Sequence, residues 1–198
     1  MRPANIFGHS SSGASNSTDL VVRLLQGVRE LEASPQLPSL SSSHHTQDIS
    51  AVDDVAGVLV GILSSADARD AVNGRVMNIT AETSTLTSDL FAWVGSYVRT
   101  THGATLKQLS HEQWLVSLRE SAANPLYMFL DMLAHGVPTS GTAGRDRAFA
   151  AEIIHRVLGR DFQPINEKMV HRALSWLDAC RRHGKPGRLQ DVSPVAGC

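Results

Sequence analysis

Cysteine is scarce: the 198 residues hold two, Cys180 and Cys198, and their spacing forms no C-x-x-C pair. That excludes a secreted disulfide framework, suits a reducing compartment and argues against a zinc site. His44 and His45 lie in a serine-rich stretch without a third ligand, and His111–Glu112 lacks the second histidine of a helical zinc motif, so no metal is expected. Long apolar runs are missing too. Nothing approaches the ~20 residues of a membrane span, and no basic segment followed by an apolar one opens the chain. A cytoplasmic protein without a membrane partner is the expectation. Neither sign of charge dominates, with 18 Lys and Arg against 19 Asp and Glu and a net charge of -1. Basic residues gather only at Arg181, Arg182 and Lys185, so phosphate-backbone binding has little support and nucleic acid is not expected as a partner.

Several catalytic signatures are also absent. A dinucleotide pyrophosphate needs backbone N–H groups at close approach, which a glycine-rich turn between a strand and a helix supplies. The clustered glycines Gly136, Gly141 and Gly144 have the wrong spacing and follow a helical pattern. No Tyr stands four residues before a Lys to act as a proton donor with a lowered pKa: Tyr97 is followed by Thr101 at that offset, and Tyr127 by Asp131. Ser12–Gly13 and Ser140–Gly141 lack the flanking glycine of a nucleophile elbow. No catalytic residue is assigned.

What is present reads as one soluble domain of 42% hydrophobic residues. Arg2 to Phe7 is a short strand ending at Gly8, followed by a small polar loop through Ser17. Thr18 is expected to cap a helix on which Leu20, Val21, Leu24, Leu25, Val28 and Leu31 recur until Ser34–Pro35 interrupts. Gln36 to Ser43 reads as a linker. Gln47 to Val52 is a strand edge, Asp53 stands at the N-cap of a helix carrying Val55, Val58, Leu59 and Ile62, and Asn73–Gly74 is a turn. Arg75 to Ile79 is a further strand and Ser84 to Val98 a further helix. This rhythm is that of an α/β layer with crossover helices. Beyond Thr100, Ala104 to Leu109 offers one more short strand. His111–Leu118, Leu126–Leu133, Phe149–Leu158 and Glu167–Arg182 are helical, and Gly136–Gly144 is a loop. Trp93, Trp114 and Trp176 sit on apolar stripes and are assigned to the core.

The run Arg2-Pro3-Ala4-Asn5-Ile6-Phe7-Gly8-His9-Ser10, then Gly13-Ala14 and Asn16, resembles a stretch of thioester reductase domains. These are extended short-chain dehydrogenase/reductases found at the end of nonribosomal peptide and polyketide synthetases and in aminoadipate and carboxylic acid reductases. Asp48-Ile49-Ser50-Ala51-Val52-Asp53-Asp54-Val55-Ala56 is similar to the family's D-x-S-P-V-D-x-V-A. Gly74-Arg75-Val76-Met77-Asn78-Ile79 resembles its late strand, Leu106 to Leu118 with Trp114 a later helical stretch, and Pro164-Ile165-Asn166-Glu167 the closing P-x-x-E. Ser15 replaces an aromatic, Ala51 a proline, and Gly136–Arg147 matches no family pattern.

The resemblance implies a partial Rossmann-type sheet, its C-terminal strands, with a predominantly helical substrate-binding lobe. Residues 1–198 form a single truncated reductase-like domain, with 1–100 the α/β part and 101–198 the helical lobe, and the glycine turn and Tyr–Lys pair lie in a preceding half. The family's reaction is NADPH-dependent reductive release of an acyl or peptidyl chain from a phosphopantetheine carrier. NADPH belongs to the parent family and is not expected to bind this chain alone. Partners are a phosphopantetheinyl carrier protein or a separate N-terminal reductase half. Arg2, Pro3 and Ile6 are the implied cofactor-binding residues on the nicotinamide side, and His9, Ser10 and Asn16 the implied substrate-binding ones.

Each site reading has a plainer counterpart. His9 and Ser10 either line the site or satisfy backbone groups in a loop. Asp53 and Asp54 look like an acid/base pair, but a capped helix start is the favoured reading, under which Asp54→Asn is nearly neutral. A partial sheet is also expected to expose apolar edges and one face of helices such as Leu20–Leu31. The rival function is a noncatalytic accessory or carrier-binding protein that keeps the fold. A helical scaffold unrelated to reductases is a third.

Overall fold

The computed structural model describes residues 1–36, 46–81, 83–135 and 144–182, with backbone alone for 144–149. The opening extended run forms β1 (Arg2–Pro3) and β2 (Asn5–Phe7). β1 pairs in parallel with β6 (Asn78–Ile79), and β2 with β5 (Ile49–Ala51). The N–H groups of Arg2 and Ala4 donate to Met77 and Ile79 carbonyls, whereas that of Asn5 donates to Asp48. Successive residues of a strand point opposite ways, so this one run holds a neighbour on each edge. Two further pairs complete the strands: β3 (Ala33–Pro35) with β8 (Lys107–Leu109), parallel, and β4 (Thr46–Gln47) with β7 (Thr85–Leu86), antiparallel. Parallel pairing needs crossover connections. α1 (Leu20–Glu30), α2 (Val52–Ser64) and α4 (Thr87–His102) provide them. The architecture is α/β, as the sequence pattern implies, and α5 (His111–Arg119), α6 (Leu130–Ala134), α7 (Gly144–Leu158) and α8 (Glu167–Arg182) make the later part helical.

Local chemistry moves several boundaries. α1 starts at Asp19, not Thr18: the Asp19 carboxylate accepts from Val21 N–H at 2.9 Å, while Thr18 turns back to Asn16. Ser34–Pro35 does more than interrupt a helix. Glu32, at φ 51°, reverses the chain, and the next three residues become β3, its Ala33 carbonyl accepting the Trp114 indole N–H at 3.2 Å and its Ser34 hydroxyl the Gln108 amide at 2.8 Å. The expected strand from Arg75 shrinks to Asn78–Ile79, and α3 (Ala66–Val72), capped by Ser65, precedes it. Leu126–Leu133 splits into a 3-10 turn, Tyr127–Phe129, and α6. Most of the expected linker and of the Gly136–Gly144 loop falls outside the described residues.

Two apolar clusters form the interior. The larger joins β2, α1, α4, α5 and α8 around Leu25, Val28, Leu90, Trp114 and Leu174. The smaller joins α2, α3, β6 and α7 around Val58, Ile62, Met77, Ile79 and Ile153. Trp114 is fully buried, and Trp93 and Trp176 pack partly buried against the larger cluster. α1 does not present an open apolar face: Val21 through Arg29, except Arg23, are buried. Among the described residues α2 keeps an apolar face open, where Val60 and Leu63 are 62% and 65% exposed.

Candidate functional site

β2 ends at Phe7, whose buried ring anchors the strand, and the chain turns at Gly8. A side chain at Gly8 would collide with the Ser15 hydroxyl, so the two limbs of the following loop lie in contact. His9 N–H donates to Ala14 at 2.9 Å and Gly13 N–H to His9 at 2.9 Å, closing a tight loop over residues 9–14. Gly13, at φ 73°, rests on the Arg172 backbone of α8, where a Cβ has no room.

Ser10 is the tether of this loop. Its N–H donates to Asp53 Oδ1 at 2.8 Å and its hydroxyl to Asp53 Oδ2 at 2.6 Å, while its carbonyl accepts from Arg172 Nη1 at 2.8 Å. Residues from three distant points of the chain therefore meet at one serine. Burial pushes the Asp53 carboxyl up, but the two Ser10 hydrogen bonds, its own backbone N–H and the nearby His9 outweigh that, leaving it below its ordinary 3.8. The carboxylate form is thus held at neutral pH.

These contacts revise the capping reading of the acidic pair. The N-cap of α2 is Ala51, without a side-chain cap bond, because β5 runs directly into the helix, and Asp53 and Asp54 occupy the first turn. Asp53 reaches sideways to Ser10. Asp54 turns inward, 2% exposed, and forms an ion pair with Arg160 beyond α7. The D-D pattern was visible in the sequence, but no sequence signal linked it to Ser10, Arg172 or Arg160.

The other residues singled out by sequence lie around this tether. Arg2 and Pro3 are exposed, whereas Ile6 is half-buried and packs against the smaller apolar cluster. His9 is half-buried, with Nδ1 3.2 Å from the Ser11 hydroxyl. Asn16 is exposed and accepts from Thr18 N–H at 3.0 Å and its hydroxyl at 2.8 Å, forming the turn into α1.

The starts of α1 to α5 do not fit a dinucleotide pyrophosphate. α1, α3 and α5 open on Asp19, Ser65 and Ser110, whose own side chains take the first N–H groups. The uncapped starts of α2 and α4 carry Asp53, Asp54 and Asp89 in their first turns, which repel phosphate. Among the described residues there is no group of three or more potential metal ligands, and no helix is long and apolar enough to cross a membrane.

The fold has counterparts among known proteins. Over 91–94% of its length the chain superposes on three solved structures. One is the terminal R domain of the myxalamid PKS-NRPS pathway, with a TM-score of 0.66 and 21% identity. The others are an archaeal thiolation-reductase di-domain at 0.60 and 16% and the PhqB reductase domain of Penicillium fellutanum at 0.57 and 16%. The chain spans 44%, 36% and 46% of them, respectively. By sequence, 136 residues are 27% identical to FrzA, a nonribosomal peptide synthetase of Cladobotryum sp, covering 69% of this chain and 12% of that protein. No family model matches. The chain thus has the fold of a portion of a terminal reductase domain, and its likeness is to the reductases of peptide and polyketide assembly lines.

Proposed function

We propose that this chain is the substrate-side portion of a thioester-reductase-like unit, with an α/β part over 1–100 and a helical part over 101–198. The unit performs NADPH-dependent reductive release: an acyl thioester on a phosphopantetheine carrier accepts hydride, the thiol leaves, and an aldehyde is formed. The observation that carries this reading is the Ser10–Asp53 tether, which fixes the loop after β2 in a fold shared with terminal reductase domains.

On this reading Arg2, Pro3 and Ile6 form the wall beside the nicotinamide. His9 and Asn16 face the thioester, and Ser10 holds their loop at its working height above α2 and α8. Since the first-turn acids repel phosphate, the pyrophosphate seat and the proton donor come from a separate N-terminal reductase half, and a carrier protein brings the substrate. The lack of a pyrophosphate seat at those helix starts also suits a second reading, a noncatalytic accessory or carrier-binding protein.

Mixing the chain with an N-terminal reductase half from the same pathway discriminates the two, with NADPH oxidation on an acyl-phosphopantetheine thioester as the readout. Restored oxidation that Pro3→Asp abolishes supports the reductase, because a charge in a partly desolvated wall is costly. Absence of oxidation with every such partner, alongside retained binding of the carrier, supports the accessory protein.

A further inference from the structure

The C-terminal ends of α4 and α8 enclose an open cavity of about 370 Å³ that the reductase reading does not use. That is far more than the ~10–15 Å³ one water-sized sphere requires, so a small polyatomic ligand fits. Its floor is the Asp178 carboxylate and the buried Tyr97 ring, which His102 and His171 hold edge-on at centroid distances of 5.9 and 5.5 Å. Thr101, His102, Ser175, Arg181 and Arg182 form the exposed rim.

The acceptors of this floor are already taken. Asp178 Oδ1 receives Arg29, and Oδ2 receives the Tyr97 hydroxyl at 2.8 Å with His102 Nε2 3.8 Å away. Glu30, at the end of α1, holds Arg181. What remains are donors: neither the Thr101 hydroxyl nor the Arg182 guanidinium has a partner among the described residues. The lining and the groups bonded to it carry three guanidinium groups, of Arg29, Arg181 and Arg182, against two carboxylates, of Asp178 and Glu30. The surplus charge is therefore positive. The carbonyl ends of α4 and α8 add about half a negative charge each, which Arg99 in the last turn of α4 together with Arg182 exceeds.

We propose that this cavity is a binding site for a phosphate group, held by Arg182 of α8 and Thr101 of α4. A guanidinium offers parallel N–H groups to two oxygens, and the hydroxyl from the facing helix meets a third, which a tetrahedral phosphate has and a planar carboxylate lacks. The assignment does not depend on the thioester-reductase reading. α8 also carries Arg172, which holds the Ser10 carbonyl about 15 Å before Arg182 at the helical rise. The phosphate can thus belong to a free molecule or to a pantetheine arm whose other end lies at the Ser10 loop.

The test is a titration of the full chain, followed by its backbone amide NMR signals, with inorganic phosphate, pantetheine 4′-phosphate, pantetheine and acetate. Phosphate is expected to shift the signals of 97–102 and 175–182 together, and acetate to bind more weakly. Arg182→Gln weakens binding about tenfold, the loss of one charge-assisted contact. Glu30→Gln tightens it, because Arg181 is released. Arg119→Gln, at an exposed arginine in the last turn of α5, leaves it unchanged. Tighter binding of pantetheine 4′-phosphate than of phosphate assigns the group to the arm, and equal binding assigns it to a free phosphate. Absence of shifts at 97–102 and 175–182, equal losses in Arg182→Gln and Arg119→Gln, or pantetheine binding as tightly as its phosphate overturns the proposal and leaves Arg182 as a charge that complements its helix end.

Discussion

In each of the two packed regions a buried charge, positive in one and negative in the other, is answered from a distant helix or its end. In the larger region Arg29 of α1 is 8% exposed and pairs with Asp178 of α8, which also accepts the Tyr97 hydroxyl at 2.8 Å. In the smaller one Asp54 of α2 pairs with Arg160, just past α7. The regions differ in what surrounds the helix that carries the charge. α1 is packed by strands, by α4 and by α8, and even Gln26 is buried. α2 is covered by β2, β5, α3 and α7, and its stripe Val52, Ala56, Val60 and Leu63 faces water. Apolar composition thus does not decide which helix is interior; the placement of the elements around its faces does.

The sharpest way to break this comparison is to orphan each buried charge. Asp178→Ala and Arg160→Ala are each expected to cost about 3 kcal/mol in denaturant unfolding, because the remaining partner is an unpaired charge away from water. Asp54→Asn is expected to cost less, since Arg160 is half exposed and swings into solvent; it is nevertheless not neutral, contrary to a capping role. An equal loss from Arg160→Ala and Asp54→Asn would mean that the two members of the pair are equally buried in solution.

Helical glycines give the next largest contrast. Gly27→Ala in α1 drives a methyl into Leu126 and the Asn124 side chain, which is fixed by its bond to the Gly27 carbonyl at 3.0 Å. A loss of about 2 kcal/mol is expected. Gly61→Ala in α2 meets only the half-buried Val157 side chain, which can rotate, so the thermal midpoint should fall less. Reversal of that order would show α7 to be the more rigid neighbour.

The tether between the regions supplies a pH test. Asp53 has a lowered pKa in the fold, so its contribution to stability is complete above the unfolded value and is lost as pH falls through the folded one, below about pH 4. Asp53→Asn should lower stability at neutral pH by about 1 kcal/mol and flatten the acid limb of the stability curve. An acid limb unchanged by the substitution would detach Ser10 from Asp53 in solution. Smallest of all is the open face of α2: Leu63→Lys should change stability by less than about 0.5 kcal/mol while reducing self-association in size-exclusion chromatography.

The alternation of extended and helical segments and the span of α8 were legible because they depend on residues within one or two turns of each other. β3 was not, since three residues ending in proline become a strand only when Lys107–Leu109 lies beside them. The sequence by itself determined the class of fold, the small polar loop after Gly8 and the resemblance to reductases, all properties of near neighbours in the chain. Only the tertiary structure decided that Asp53 serves Ser10, that Asp54 is buried, and that α2 rather than α1 keeps an apolar face in water. Each of those depends on a group more than 40 residues away or on where other elements pack around a helix, and neither is written in local periodicity.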